Sequence, residues 1–343
     1  MRRMASAIVA VICEDYGPSE FLRRLGDPLW FQSLGCVLGF DWHSSGLTTV
    51  VCGVLRDSLE LSRHGVAALG GKGLASRAIP EKIGLAGLDE EEARQVIYAS
   101  KISSKVDNNA LQDGYKIYHH TIFFTEKAEW AVVQQGLNQD CGYARRYHWV
   151  GESVRSYVLE PHSGISGDRY EGAVLNMVSR QSLDAQKASL DVVAEGPARI
   201  QRLLSTVIQR QTTLENFETV HHRMHATLHV KLPRRINWDV VKRLYDVRPA
   251  SYEELLLFQG VGAATVRALA LISCLIYGVE LDWRDPIKYS FAVGGKDGVP
   301  YPVSRRRMDE VIEFLEGVLE RSAVESSTRR EALRRLYGLA GQF

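Results

Sequence analysis

The sequence predicts an α+β / α/β fold: an N-terminal mixed sheet with helices, followed by a C-terminal all-helical domain. Three observations carry this. Tyr115 to Phe124 and Trp130 to Gln135 are β-rich apolar runs separated by Thr125-Glu126-Lys127-Ala128-Glu129, the pattern of a hairpin. Residues 40–150 alternate helical and extended patterns, which calls for helices layered on a sheet. From about Leu175 the chain is nearly all helical in pattern, and Gln259-Gly260-Val261-Gly262 sits between two apolar helical stretches, Tyr252 to Phe258 and Thr265 to Tyr277.

The elements follow in order. Residues 4–38 read as two helices broken at Gly17-Pro18, with Ser19 capping the second. The helical pattern begins almost at Met1 with no N-cap. Phe40 to Thr49 is a Gly/Ser/Thr loop that opens a helix, Thr49 to Leu61. A short apolar strand, Gly65 to Leu69, ends in Gly70-Gly71-Lys72-Gly73. Pro80 begins a helix, and Asp89 to Ser104 is another, with acidic residues in its first turn as the helix dipole prefers. After the hairpin, Gly136-Leu137-Asn138 leaves the sheet. Arg199 to Gln211 is a strong helix, 221–237 is a connection broken by His, Arg and Pro, and two amphipathic helices close the chain. The expected domains are 1–175 (α/β), 176–237 (helical connector) and 238–343 (helical, with the helix-hairpin-helix).

The 343 residues suffice to bury a core without metals or disulfides. Net charge is +1, so attraction of the whole protein to nucleic acid is excluded as a driver, and any such contact must be local. Cys13, Cys36, Cys52, Cys141 and Cys274 are scattered with no Cys-x-x-Cys pair, which fits a reducing cytoplasm and argues against a zinc ribbon. No apolar run is long enough to span a bilayer, and Ala5 to Cys13 runs into Glu14-Asp15 without a cleavage-like site.

Several constellations could carry chemistry. At Gly260-Val261-Gly262 the glycines leave the amides at the start of the next helix bare, and that helix end favours an anion such as a backbone phosphate; Thr265 and Arg267 follow in the next turn. The bland alternative is a tight helix turn with no ligand. Asp41 and His43 lie two apart before Ser44 and Ser45, beside a helix N-terminus that can hold phosphate; an N-capped helix explains the same residues. Gly70-Gly71-Lys72-Gly73 with Arg77 offers close backbone approach and positive charge, yet lacks the Walker spacing. Arg145-Arg146-Tyr147-His148-Trp149 interleaves cations with aromatics, which suits phosphate contact and base stacking, or simple packing. His221, His225 and His229 share a helical spacing, but His222 stands where a zincin needs Glu, so a solvated connector is the better reading. Lys296 lies in the turn Gly294-Gly295-Lys296-Asp297-Gly298.

The stretch from Asp113 through His119 and His120, across the hairpin to Gln134, Gly136 and Asn138, resembles the phospholipase D-like phosphodiesterases, in which a strand carries His-x-Lys and a Gly-Ser-x-Asn follows the next strand. The resemblance implies His120 as a nucleophile on phosphorus and Asn138 as an orienting residue. Ile122 replaces the Lys and Leu137 the Ser, so Lys72 or Lys101 would supply the missing charge. Three longer strings resemble the uncharacterised family labelled domain of unknown function 763: Phe40-Asp41-Trp42-His43-Ser44-Ser45-Gly46, Trp130 through Gly136, and Tyr289-Ser290-Phe291 with Gly294 through Gly298. That resemblance covers nearly the whole chain and implies no activity. Relatives have an additional N-terminal Pro-Leu-His-Gly-Gly string, and Val293 stands where a His is expected, which speaks against catalysis by that loop.

The leading expectation is a DNA-binding nuclease or phosphodiesterase. Catalysis would rest on Asp41, His43, Lys72, Asp113, His119, His120, Gln134 and Asn138. Nucleic acid, DNA before RNA, would meet Ser44, Ser45, Arg77, Arg145, Arg146, Lys296 and the Gly260–Arg267 turn. Asp41 and Asp113 could hold Mg or Mn. The alternatives are a non-catalytic DNA- or RNA-binding protein and an enzyme acting on a small phosphorylated substrate; self-association stays open.

Overall fold

The computed structural model describes residues 1–41, 46–214, 236–289 and 304–340. His43, Ser44, Ser45, Lys296 and the histidines at 221–229 lie outside the described residues.

Three helices open the chain: α1 (Arg2–Tyr16), α2 (Pro18–Leu25) and α3 (Pro28–Val37). The sequence shows the break at Gly17-Pro18; the second break, at Gly26-Asp27-Pro28, arises because Asp27 caps α3 through its side chain, with Pro28 at the first helical position. Then come α4 (Leu47–Arg56), α5 (Leu61–His64), β1 (Val66–Lys72), α6 (Leu74–Arg77), α7 (Ile79–Gly84) and α8 (Glu90–Lys105). A full capping box starts α8: Asp89 accepts from the Glu92 amide, and Glu92 accepts from that of Asp89. Its end runs into a π-turn, Val106–Ala110, followed by β2 (Leu111–Gln112).

The sheet is completed by β3 (Lys116–Thr125), β4 (Trp130–Leu137), β5 (Ala144–Val150) and β6 (Gly164–Gly167), in the order β1-β3-β4-β5-β6. All its strand pairs are antiparallel, where a mixed sheet is predicted. The strand β7 (Leu175–Asn176) pairs with β2. Helices α9 (Leu183–Ala194), α10 (Pro197–Leu214), α11 (Trp238–Val247), α12 (Tyr252–Leu257), α13 (Ala263–Tyr277), α14 (Arg305–Arg321) and α15 (Ser326–Ala340) follow.

Helices cover both faces of the sheet. Strand residues alternate between faces, so Phe123, Ala131 and Val133 join α1–α4 in one core, while Ile122, Phe124, Val132 and Trp149 join α8, α9 and α11–α13 in the other. Each fully buried Phe or Ile contributes about 1.5–3 kcal/mol by leaving water. The last two helices do not stay with the helix pair that precedes them. Leu315, Val318 and Leu336 of α14 and α15 enter the core of the N-terminal helices, whereas Leu255 and Leu269 of α12 and α13 enter the opposite one. Residues 238–340 are thus divided between the two layers.

One glycine explains part of the 70–73 string. Gly70 has φ +125°, and a Cβ there would meet the His120 carbonyl oxygen at 2.2 Å. The string stays in strand β1 through Lys72, and its small size at this point serves backbone packing.

Candidate active site

The π-turn after α8 is the starting point. An inserted residue in a helix re-aims its side chains, and such turns recur at functional sites. Here it carries Asp107, fully buried. Asp107 Oδ2 accepts from Gln134 Nε2 at 2.5 Å and from Trp149 Nε1 at 3.0 Å, and Oδ1 lies 2.5 Å from His162 Nε2. Three acceptor contacts are the inventory of an ionised carboxylate. With Nε2 engaged in this way, the other nitrogen of a neutral His162 ring, Nδ1, carries the lone pair. The ring is held by Trp149, edge-on with centroids 4.7 Å apart, and by Tyr147 at 6.1 Å.

His162 lines a cavity of about 640 Å³, with Glu160, Tyr170, Asn176, Asp282, Arg284 and Lys288 also on its wall. The wall is built by two segments that lie side by side. Residues 281–289 run along β6 and β7 through bridges Ser166–Tyr289 and Asn176–Asp282. Glu160, just before Pro161 and His162, adopts φ +47°, a conformation non-glycine residues rarely hold. Its amide donates to the Val178 carbonyl at 2.7 Å and its carboxylate accepts from Arg180. Strain of this kind, costing about 1–3 kcal/mol, gathers at functional sites.

The residues expected to be catalytic are distributed differently. His120 is buried, with Nε2 2.8 Å from Ser100 Oγ and Nδ1 2.9 Å from Gln134 Oε1. Burial lowers its pKa, against the opposing pull of Gln134 and Asp107. A histidine closed at both nitrogens has no lone pair for phosphorus, so the phospholipase D-like role is not assembled. His119 faces the other core; its Nε2 meets Thr121 Oγ1 at 3.0 Å and its buried Nδ1 has no hydrogen-bond partner. Lys72 is exposed, its Nζ 5.3 Å from the Tyr118 ring centroid. Asn138 shapes the β4–β5 turn by accepting from the Asp140 amide, and Asp41 is exposed ahead of α4. Gln134 joins the candidate site through Asp107 and links His120 to it.

Asp113 does not fit a metal ligand. It is buried, accepts from Arg145 at 2.9 Å and from Tyr147 at 2.6 Å on the same oxygen, and takes the Tyr115 amide on the other. Among the described residues no group of three His, Cys, Asp or Glu side chains is arranged to hold a metal ion.

The two arginines expected at a nucleic-acid surface are both internal. Arg145 is 1% exposed; it bonds Asp285 with two nitrogens at 2.9 and 2.7 Å, and its guanidinium lies 4.5 Å from the Tyr115 ring centroid. Burial works to lower its pKa, but Asp113, Tyr147 and Asp285 prevail and raise it. Arg146 points to the opposite face, where it donates to Gln32 Oε1, the Pro28 carbonyl and His148 Nε2; burial lowers its pKa to about 10. Neither is placed to meet a phosphate backbone. Their alternation follows from β5, a strand that the cation-aromatic reading passes over. Arg77 is exposed at the end of α6.

Helices α12 and α13 are joined by Phe258–Gly262. Gly260 has φ +97°, and a Cβ there would meet Val240 Cγ2 at 2.6 Å, so only glycine fits. Gly260 is exposed, Val261 is buried and Gly262 caps α13. Thr265 is buried, and Arg267 turns inward to Gln112 Oε1 at 2.6 Å. The turn rests on the π-turn region: Lys105 donates to the Val261 carbonyl and Gln112 to that of Ala263. Lys105 and Gln112 flank Val106–Ala110, so the turn leans on the segment that carries Asp107.

Asp107 and His162 escape the sequence reading. The available signals are the polar run Asp107-Asn108-Asn109 directly after α8, and a lone His after Pro161. The described cysteines are all free, and no helix among the described residues is long and apolar enough to cross a membrane. Neither a curated protein nor a solved structure matches the chain. The family model described as "Protein of unknown function (DUF763)" matches residues 1–303, and the chain belongs to that family.

Proposed function

We propose that this protein binds nucleic acid, DNA before RNA, and hydrolyses a phosphodiester at the His162 cavity in a reducing cytoplasm. The observation that carries the reading is the 2.5 Å contact between Asp107 Oδ1 and His162 Nε2 on the wall of a 640 Å³ cavity. A ring oriented by a carboxylate at one nitrogen is fitted to be a general base at the other. In the proposed step Nδ1 takes a proton from water as the water oxygen bonds to phosphorus. The bond to the leaving oxygen breaks, and that oxygen regains a proton from His162. Arg284 and Lys288, both on the cavity wall, would balance charge that develops on the phosphoryl oxygens. The α12–α13 turn would hold a neighbouring backbone phosphate at its amides.

The test incubates labelled single- and double-stranded DNA with the full chain under Mg, Mn or chelator, and compares wild type with His162→Ala and Asp107→Asn. Cleavage that falls at least about a hundredfold in both variants, in line with loss of acid–base catalysis, supports the site. No cleavage by wild type under any condition sinks the nuclease reading. A second reading, an enzyme on a small phosphorylated substrate, is favoured by the cavity volume, which lies within the range of small-molecule sites, about 300–1,000 Å³. Nucleotides assayed in parallel separate the two. Binding through phosphates also weakens steeply with salt.

A further inference from the structure

A closed loop of hydrogen bonds lies behind Asp107. It leaves the π-turn at Asp107, crosses to Gln134 on β4 and His120 on β3, and returns to α8 at Ser100. Ser100 and Asp107 are about two helical turns apart, so both ends are fixed by one rigid segment. The direction of every bond follows from Asp107 as an ionised carboxylate, which can only accept. Asp107 Oδ2 also accepts from Trp149 Nε1, which can only donate. The Gln134 amide must therefore turn its NH₂ toward Asp107 and its oxygen toward His120. That oxygen can only accept, so the proton of His120 sits on Nδ1. The Nε2 lone pair then accepts from the Ser100 hydroxyl. Burial, which lowers the pKa of His120, keeps the ring neutral and the pattern intact.

We infer that Gln134 and His120, anchored by Ser100, are positioning residues that hold the Asp107 carboxylate in the orientation that presents His162 to the cavity with Nδ1 as its basic nitrogen. Apolar side chains would fill the same space without the desolvation that a buried polar chain costs. The matched donors and acceptors direct Asp107 instead. Trp149 cannot do this alone, because one donor on one oxygen leaves the carboxylate free to swing about that contact. Other charged groups near His162 are Glu160, Asp282, Asp285, Arg284 and Lys288 on the cavity wall; His148 lies toward the far side of the sheet.

The inference rests on His162 being the base, but its first test needs no activity. Nitrogen NMR of the full chain with isotopically labelled histidine reads the tautomer of each ring. His120 is expected as the Nδ1–H form at neutral and alkaline pH, and the Nε2–H proton of His162 is expected at low field from its bond to Asp107. Finding His120 as the Nε2–H form overturns the proposal. In Gln134→Leu and His120→Leu the low-field His162 signal should move or broaden away, and His120→Asn, which keeps one donor and one acceptor, should restore it. A signal identical to wild type in Gln134→Leu equally overturns it. In DNA cleavage, Gln134→Leu should lower kcat about tenfold with KM unchanged; a change in KM alone would mean that Gln134 shapes binding and not the base. Failure of the wild type to cleave defeats the hydrolase reading, while the tautomer and low-field signals still decide the positioning chain.

Discussion

His119 and His120 are adjacent in sequence and live in different environments. His120 faces the α8 side, where Ser100 and Gln134 close both nitrogens and link it to Asp107. His119 faces the α4 side with Nδ1 buried and unpartnered. The next pair of like residues repeats the split. Arg145 meets two carboxylates on the first side, and Arg146 donates to a glutamine, a carbonyl and a histidine on the second. One face is a connected electrostatic network that reaches a cavity. The other carries polar groups of equal burial with a different logic, and the period of two in a strand is enough to separate them.

The largest effect should come from cutting the network at its most buried charge. Arg145→Met leaves Asp113 and Asp285 facing each other's vacated partner, both buried, with side chains at 0% exposure for Arg145 and both acids. Breaking such a pair costs about 3–5 kcal/mol. Urea unfolding of the variant should show that loss. A loss under about 1 kcal/mol would mean that water or rearrangement compensates, and the contrast between faces would fail there.

The paired histidines give the sharper comparison. His120→Leu strands the Gln134 oxygen and the Ser100 hydroxyl and should cost about 1–3 kcal/mol. His119→Leu removes an orphan nitrogen along with one contact to Thr121, so its cost should stay below about 1 kcal/mol. Denaturation midpoints of the two variants measure the difference directly, and equal costs would show that the hydrogen-bond map does not govern stability.

Acid should reveal the same asymmetry through His119. Burial first, then the charges on His120, Lys72 and Arg56, lower its pKa from 6.5 to about 4. The unfolded chain therefore binds a proton in that window while the folded chain does not, so stability falls as pH drops from 6.5 toward 4. The slope from this residue alone approaches about 1.4 kcal/mol per pH unit. His120 and His148 shift in the same direction. Stability of His119→Leu followed from pH 7 downward should have a shallower acid limb than wild type; parallel curves would contradict the assignment.

Much of the fold was legible because it is local. The capping box at Asp89–Glu92, the hairpin through Thr125 to Glu129 and the glycine turn at 260–262 each announce themselves within a few residues. What the sequence obscured was alternation and distance. Arg145 and Arg146 read as a cationic stripe only if they share a face, and a strand forbids that. Gln134 stands among the residues expected from sequence to be catalytic, but its partner Asp107 is 27 residues earlier and His162 is 55 beyond Asp107. No local pattern joins them; the π-turn and the strained Glu160 do, and neither has a composition signature. The division of the C-terminal helices between two cores was hidden for the same reason, since amphipathic helices state that they have an apolar face and not which one it meets.

The smallest effect belongs to Lys72, and it is diagnostic because the residue touches the His119 side only from outside. Its ammonium is exposed and 5.3 Å from the Tyr118 ring centroid, an arrangement worth about 0.5–1 kcal/mol at an exposed site. At neutral pH Lys72→Ala should therefore lose no more than that. Lys72 is also one of the charges that disfavour protonated His119. Its removal should ease that protonation, raise the His119 pKa slightly and make the acid limb of the stability curve level off at a higher pH with a smaller total loss, its onset being set by the unfolded chain. His120, which faces away and whose shift comes from burial against Gln134 and Asp107, should respond less. Histidine NMR titration of Lys72→Ala reads both rings in one sample. A larger movement of His119 than of His120 is the expected result, and equal movement would show that Lys72 acts on both rings alike.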